Sequence, residues 1–206
     1  MGWTSGALFP PGAAAEADKE AAAEAAAVHA LRYAAGNPRV FFDIELDGQP
    51  AGRMEMQLFM HVAPRAAANF LAMCRGDSGS APAGGEGAGK RFSYEGALFY
   101  RVLDMFICQA GVYVPAVSGG SFDDDPGGLA LKHTRAGLLS MANSGRNTNT
   151  NHFSILMAPA PHLDGAYTIF GEVVKGLAVA RAINAFATPS GAPTKRAVIV
   201  RAGQLA

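Results

Sequence analysis

Apolar and polar residues alternate along much of the chain from Arg39 onward, with the period of two that a half-buried β-strand produces. Residues 40–46 follow this pattern, Asp47-Gly48 is a turn signal of β-hairpins, and residues 53–59 return with the same alternation. Short apolar runs predict further strands, at residues 98–103, 106–109, 137–141, 153–157, 167–174 and 197–201. The pattern therefore predicts a mainly β domain.

Two segments place their apolar residues at helical spacing instead. Pro64 suits the first turn of a helix, and residues 65–74 follow it with apolar positions on one face. Residues 176–186 show the same spacing. Short strands accompanied by only two helices are typical of a closed antiparallel barrel whose ends the helices cap.

The first 38 residues differ from the rest of the chain in composition. Residues 13–35 are rich in Ala and Glu, which predicts a helix, and Gly36 with Asn37-Pro38 predicts its end. We therefore predict an N-terminal extension, residues 1–38, and a single domain, residues 39–206. The extension is either a solvated segment or a helix that docks the domain to a protein partner. The long Gly/Ser/Ala loop at residues 76–90 offers a second docking element.

The charge and the cysteine content of the chain indicate which binding partners and which cellular compartment to expect. Lys+Arg and Asp+Glu number 17 each, so the formal net charge is zero and nothing favours a nucleic acid or an anionic membrane surface. No apolar run reaches the roughly 18 residues that a membrane-spanning helix needs. The two cysteines are too few for a disulfide framework. We therefore expect a cytoplasmic protein, either free or within a large or cytoskeletal assembly.

The strand predicted at residues 98–103 carries one charged side chain among apolar ones, that of Arg101. Strict alternation would place two apolar residues on the face of Arg101, namely Phe99 and Leu103, and two residues on the opposite face, namely Tyr100 and Val102. A bend at Asp104-Met105 would lead into a second strand that offers Phe106 and Gln109. These groups suit a planar polar ligand with an apolar ring, although a surface arginine on a half-buried strand gives the same pattern.

Longer blocks of the sequence carry a family resemblance. The blocks FYRVLDMFICQAG and LKHTRAGLLSMANSGRNTNTNHF resemble the cyclophilin family of peptidyl-prolyl cis-trans isomerases. Four further blocks extend the resemblance over residues 40–205, namely VFFDIELDGQPAGRMEMQLF, APRAAANFLAMCRG, LDGAYTIFGEVVKGL and AGQL. The resemblance implies an eight-stranded barrel capped by two helices. It also implies an enzyme that rotates Xaa-Pro bonds in peptides and proteins, assists folding as a chaperone does, and needs no cofactor.

The same resemblance transfers the family's site to this sequence residue by residue. The catalytic arginine falls on Arg101, and its amide partner falls on Gln109. The substrate-binding positions are Phe106, Ile107, Ala142, Asn143, His152, Ser154, His162, Leu163 and Tyr167. Of these, Asn143 would bind the peptide through its main-chain groups, and Phe106 and Leu163 would form walls of the proline pocket.

Several positions depart from the family pattern. Ser154 stands where the pocket floor carries phenylalanine, which we expect to weaken proline binding by roughly 1–3 kcal/mol. His162 stands where tryptophan is usual, which we expect to weaken cyclosporin binding. Tyr100 replaces the histidine beside the catalytic arginine, and His152 replaces a glutamine. Two functions stay open: an active but specialised isomerase, or a catalytically weak or inactive domain that serves as a structural or binding subunit of a larger assembly.

Two groups of residues could suggest a metal site, and neither fits one. His152 and His162 lack a third ligand at a suitable spacing. The three aspartates of SGGSFDDDPGG, residues 118–128, lack the alternating ligands and the terminal glutamate of an EF-hand loop. We therefore predict no metal site, and a solvated turn at residues 118–128.

Overall fold

The structure, a computed structural model, describes residues 19, 22, 23, 26, 27, 30, 34–85 and 87–206. Eight strands lie in this part of the chain: β1 (Arg39–Leu46), β2 (Gln49–Leu58), β3 (Leu98–Leu103), β4 (Ile107–Gly111), β5 (Leu138–Met141), β6 (Phe153–Leu156), β7 (Ile169–Lys175) and β8 (Ala197–Gln204). They form one closed barrel in the order β1-β2-β7-β5-β6-β4-β3-β8, and every neighbouring pair is antiparallel. The predicted fold class is confirmed.

In the described part of the chain after residue 36, three α-helices accompany the barrel: α1 (Pro64–Arg75), α2 (Pro126–Ala130) and α3 (Leu177–Asn184). A single 3-10 turn covers Pro161–Leu163. Helix α1 begins with Pro64 in its first turn and ends at Gly76, whose φ of 63° is the left-handed conformation that glycine adopts without a steric penalty. The described residues contain no helix with the length and apolarity that crossing a bilayer requires.

A cluster of aromatic side chains fills the barrel and fixes α1 against it. The Phe70 ring of α1 lies 4.9 Å from that of Tyr94 and 5.0 Å from that of Phe153, measured between centroids. Phe42 of β1 contacts the same three rings, at 5.6 to 5.9 Å. Each of these four residues is at most 1% exposed. Burial of large apolar side chains on this scale is the main force that holds the barrel closed.

The segment predicted as a solvated turn, residues 118–128, is exposed over most of its length, but the prediction is wrong for two of its three aspartates. Asp124 and Asp125 are buried, with 7% and 1% of their surface exposed. The Asp125 carboxylate accepts hydrogen bonds from the backbone N–H groups of Arg65 and Ala66, at 3.2 and 2.9 Å. These N–H groups lie in the first turn of α1, where no partner exists within the helix. A carboxylate distant in sequence therefore caps α1, and helix α2 follows it.

The prediction of a helix at residues 13–35 falls mostly outside the described residues. Of the described residues in this range, 19, 22, 23, 26, 27 and 30 are helical and exposed, whereas residues 34 and 35 are not helical. Contacts divide the chain into the units Met1–Ala35 and Gly36–Ala206. The predicted domain boundary after residue 38 stays a prediction.

Candidate functional site

A β-bulge in β3 sets the direction of the site's charged side chain. The register with β4 pairs Phe99 with Ala110 and Arg101 with Gln109, so the strand shifts by one residue at Tyr100. Phe99 and Val102 are buried in the core, whereas Tyr100 is half-buried and Arg101 is exposed. The predicted alternation is therefore wrong. Because a bulge adds one residue on one strand, Tyr100 and Arg101 both lie outside the core, and Phe99 does not share the face of Arg101.

Polar residues form a continuous row across four neighbouring strands. Arg101 on β3 pairs with Gln109 on β4, Gln109 pairs with Ser154 on β6, and Ser154 pairs with Ser140 on β5. Residues directly opposite each other in antiparallel strands project from the same face of the sheet. We call this set, Arg101, Gln109, Ser154 and Ser140, the polar row.

Gln109 connects Arg101 to two aromatic neighbours. Its Oε1 accepts a hydrogen bond from Arg101 Nη1 at 3.4 Å, and its Nε2 donates one to Tyr100 Oη at 2.7 Å. Tyr100 Oη lies 2.8 Å from His152 Nδ1 and, having accepted from Gln109, donates its proton to that nitrogen. Burial raises the pKa of Tyr100 above its ordinary value, although the hydrogen bond from Gln109 counteracts part of this effect. Tyr100 therefore stays protonated and fixes the Gln109 amide.

A concave pocket of about 280 Å³ opens beside the polar row. It is lined by Arg101, Phe106, Ile107, Gln109, Ser140, Met141, Ala142, Asn143, Ser154, His162, Leu163 and Tyr167. A larger depression of about 600 Å³ lies between α1 and residues 117–123, and none of its lining residues belongs to the polar row. The smaller pocket is therefore the candidate site.

Two ring side chains pack against each other at one side of this pocket. The Phe106 ring lies in the turn between β3 and β4, and its centroid is 5.0 Å from that of His162 on the 3-10 turn. Asn184 at the end of α3 holds the turn in place, because it donates to Leu103 O at 2.9 Å and accepts from Met105 N at 3.2 Å. Phe106 and His162 are thus in contact and form one apolar wall, against which a small ring can pack.

Gly191 supports the stem of Arg101 from the opposite side. A Cβ at this position would lie 3.2 Å from Arg101 Cγ, which is closer than most real contacts. The Gly191 carbonyl accepts a hydrogen bond from Val102 N at 2.8 Å and so attaches its loop to β3. Its φ of 85° lies in the left-handed region that favours glycine. The backbone of this loop therefore limits where the arginine side chain can lie.

His133 links the floor of the pocket to one of its walls. The ring is 1% exposed, its Nε2 lies 3.0 Å from Ser140 Oγ, and its Nδ1 lies 2.9 Å from Asp164 Oδ1. Burial lowers the pKa of His133, although Asp164 partly counteracts this. Burial would raise the pKa of Asp164, but hydrogen bonds from the His133 main chain and ring hold it below its usual value. The neutral imidazole therefore donates from Nδ1 to Asp164 and accepts the Ser140 hydroxyl proton at Nε2.

Ten of the site residues expected from the sequence line the pocket, and His152 does not. His152 packs instead against Tyr113, with ring centroids 4.8 Å apart, and contacts the polar row only through Tyr100. Gly111 leaves room for it, because a Cβ there would come 2.4 Å from His152 Nδ1. Sequence reasoning did not identify Ser140, Met141 or His133. No sequence signal indicated Ser140, because β5 is buried at every position and its pairing with Ser154 is visible only in the fold, and His133 gave no signal either.

The described part of the chain contains no group of three or more His, Cys, Asp or Glu side chains that could hold a metal ion. What the pocket offers is a permanent cation at its mouth, a fixed amide and an apolar wall. This is a set of groups that can bind and polarise a peptide. The serine that lies beside a base, Ser140 next to His133, is buried at the floor of the pocket, with 1% of its surface exposed.

A comparison with protein families agrees with this architecture. Residues 41–204 match the family model described as cyclophilin type peptidyl-prolyl cis-trans isomerase/CLD. The match covers the whole barrel except its outermost residues, and it includes every residue of the pocket. The chain belongs to the family of cyclophilin-type peptidyl-prolyl cis-trans isomerases, and its fold is the eight-stranded barrel expected of that family.

Proposed function

We propose that the pocket rotates Xaa-Pro bonds with Arg101 as the group that stabilises the twisted amide. Amide resonance imposes a rotation barrier of roughly 18–20 kcal/mol. When the bond twists, resonance is lost and the proline nitrogen gains a localised lone pair. A cation beside that nitrogen binds the twisted form more tightly than either planar form, which is the condition for catalysis.

Arg101 suits this task because of its charge and its setting. A guanidinium stays protonated at any working pH, and its planar fork presents several N–H donors. The hydrogen bond to Gln109 and the backing by Gly191 restrict the side chain before a substrate arrives. A donor that is already oriented does not have to be reorganised during the reaction. The position of Arg101 next to Gln109 at the mouth of the pocket is the observation that carries this proposal.

The remaining pocket residues hold the peptide in our proposal. Phe106, Leu163 and Ile107 contact the proline ring, and Tyr167 and Ala142 flank the peptide. The Asn143 side chain is occupied, since its Nδ2 donates to Ala166 O at 3.0 Å and its Oδ1 accepts from Gly145 N at 3.2 Å. This fixes the loop, so that the main chain of Asn143 can meet the substrate backbone. His152 acts from outside the pocket by holding Tyr100.

The test compares Arg101→Ala with wild type in a protease-coupled isomerisation assay on a short Xaa-Pro peptide. We expect kcat/KM to fall by roughly 10²–10³, as it does when one donor to a developing charge is removed. Arg181→Ala is the matched control, because Arg181 is exposed on α3 and does not line the pocket. Turnover that survives Arg101→Ala in folded protein would rule out this role. A wild type without turnover would make the domain a binding subunit.

The same proposal extends to partners and location. The exposed helical residues Ala22, Ala26 and Ala30 and the exposed loop residues 77–80 support docking of a protein partner. Replacing Ala22 and Ala26 by lysine should release such a partner and leave turnover unchanged. His162 in place of an indole should make cyclosporin binding weak, as titration calorimetry would measure. Two free, buried cysteines are compatible with the cytoplasmic location that we propose, which cell fractionation tests.

A further inference from the structure

One hydroxyl of the polar row has no hydrogen-bond partner within the described residues. Ser154 is 7% exposed, lines the pocket and lies between Gln109 and Ser140 in the row. Both neighbours are occupied, Gln109 by Arg101 and Tyr100, and Ser140 by His133. The Ser154 oxygen is not among the enclosed unpaired atoms of the described residues and is therefore open to the pocket, so a polar group of a ligand can reach it.

Ser140 supplies the other half of a hydroxyl-binding site. Its proton goes to His133 Nε2, because Asp164 takes the proton of His133 Nδ1. The Ser140 oxygen is then left as an acceptor, while the Ser154 hydroxyl can donate. These two serines are directly opposite each other on β5 and β6. An acceptor and a donor side by side match a single alcohol group, which donates one hydrogen bond and accepts another.

The geometry of a bound proline decides which atom would carry this alcohol. If the proline nitrogen faces Arg101 at the mouth, the two ring atoms that are not bonded to nitrogen, Cβ and Cγ, lie on its far side. Cα continues the peptide chain, so Cβ and Cγ enter the pocket toward the serines. A hydroxyl on Cγ makes the residue 4-hydroxyproline.

We propose that this pocket selects 4-hydroxyproline, whose ring hydroxyl accepts from Ser154 Oγ and donates to Ser140 Oγ. The inference rests on the proposed isomerase function and names its substrate class, peptides that contain Xaa-hydroxyproline bonds. A site that is built to pair with a substrate hydroxyl discriminates against the analogue that lacks it, because its own polar groups then stay unpaired. An unmodified proline would leave Ser154 unpaired.

The test measures two peptides that differ only in the ring substituent, one with proline and one with 4-hydroxyproline, in both the 4R and the 4S form. Exchange NMR gives kcat/KM, and chemical-shift titration gives Kd without requiring turnover. Wild type should bind and isomerise one hydroxyproline form about 10-fold better than proline. Ser154→Ala should remove this preference and Ser154→Phe should reverse it. Ser121→Ala, an exposed serine outside the pocket, should keep it.

The two readouts separate this inference from the function on which it rests. Equal or weaker binding of both hydroxyproline forms would overturn the inference, and so would a preference that survives Ser154→Ala. Such results with normal turnover of proline would leave the isomerase function intact and indicate that a water molecule occupies Ser154. A hydroxyproline preference in Kd without any turnover would support the inference and contradict the proposed reaction.

Discussion

Tyr100→Phe tests whether the orientation of the Arg101 side chain depends on hydrogen bonds made by the neighbouring residues. The substitution removes one oxygen and keeps the ring. That oxygen accepts from Gln109 Nε2 at 2.7 Å and donates to His152 Nδ1 at 2.8 Å. The bond from Arg101 Nη1 to Gln109 Oε1 is long, at 3.4 Å, so it restrains the guanidinium only while the amide itself is fixed. Without the tyrosine hydroxyl, the amide can rotate away.

The size of the effect follows from the hydrogen bond that is lost. A typical hydrogen bond contributes a net 0.5–1.5 kcal/mol, and Gln109 is only half-buried, so water replaces part of it. We therefore expect the substitution to reduce, by about 1 kcal/mol, the free energy that favours the oriented arginine side chain over its other conformations. Because about 1.4 kcal/mol corresponds to a factor of ten in rate, kcat/KM should fall roughly fivefold. The effect is thus far smaller than the loss expected for Arg101→Ala.

The assay is isomerisation of one Xaa-Pro peptide by wild type, Tyr100→Phe and Tyr113→Phe. Tyr113 is the matched control, since its ring packs on the same His152 but the residue is 58% exposed and lies outside the pocket. A double-mutant cycle with Arg101→Ala separates orientation from general damage. If Tyr100 acts through Arg101, its removal changes nothing once Arg101 is absent. Unchanged turnover in Tyr100→Phe, or equal losses in both backgrounds, would refute the reasoning.

Two further predictions concern stability. Burial lowers the pKa of His133 from its ordinary 6.5. Below about pH 6.5 the unfolded chain therefore takes up a proton at this residue that the folded chain does not. The free energy of unfolding should decrease as the pH falls through this range. Urea unfolding at pH 7.5 and 5.5 should show a smaller decrease in His133→Gln than in wild type or in His61→Gln, which alters an exposed histidine; equal decreases would contradict this. Asp125→Ala removes the cap of α1 and should lower the unfolding free energy by about 1–2 kcal/mol. The control is Asp123→Ala, because Asp123 is an exposed aspartate of the same loop, and this change should alter the unfolding free energy by less than about 0.5 kcal/mol. A similar loss of stability in both variants would argue against capping.

The regular elements could be predicted because each obeys one local rule. Alternation located β1 and β2, short apolar runs located β5 to β8, and helical spacing located α1 and α3. Closure into eight strands came from the family resemblance. Alternation alone does not say which strands pair, because pairing depends on contacts between distant residues.

Interactions between distant segments escaped the sequence reading for the same reason. The run of three aspartates looks solvated when it is considered alone. In the fold, Asp125 meets the start of α1, and Asp124 Oδ1 accepts from Asn149 Nδ2 at 2.7 Å. A run of charged residues stays exposed only if no unpaired backbone N–H groups lie within hydrogen-bond distance of its side chains. The unpaired first turn of α1 and the carboxylate of Asp125 are 59 residues apart in sequence, so no local pattern connects them.

The bulge in β3 is the step on which the site depends most, and the sequence did carry a sign of it. Phe99 and Val102, the two buried residues of this strand, are three positions apart, and a period of two cannot place both in the core. The two residues between them must therefore both lie outside, which is where Gln109 can bind Arg101 through one end of its amide and Tyr100 through the other. In a regular strand Tyr100 would point inward and the amide would have no second partner. The orientation of Arg101 thus depends on a local irregularity that breaks the pattern by which strands are identified.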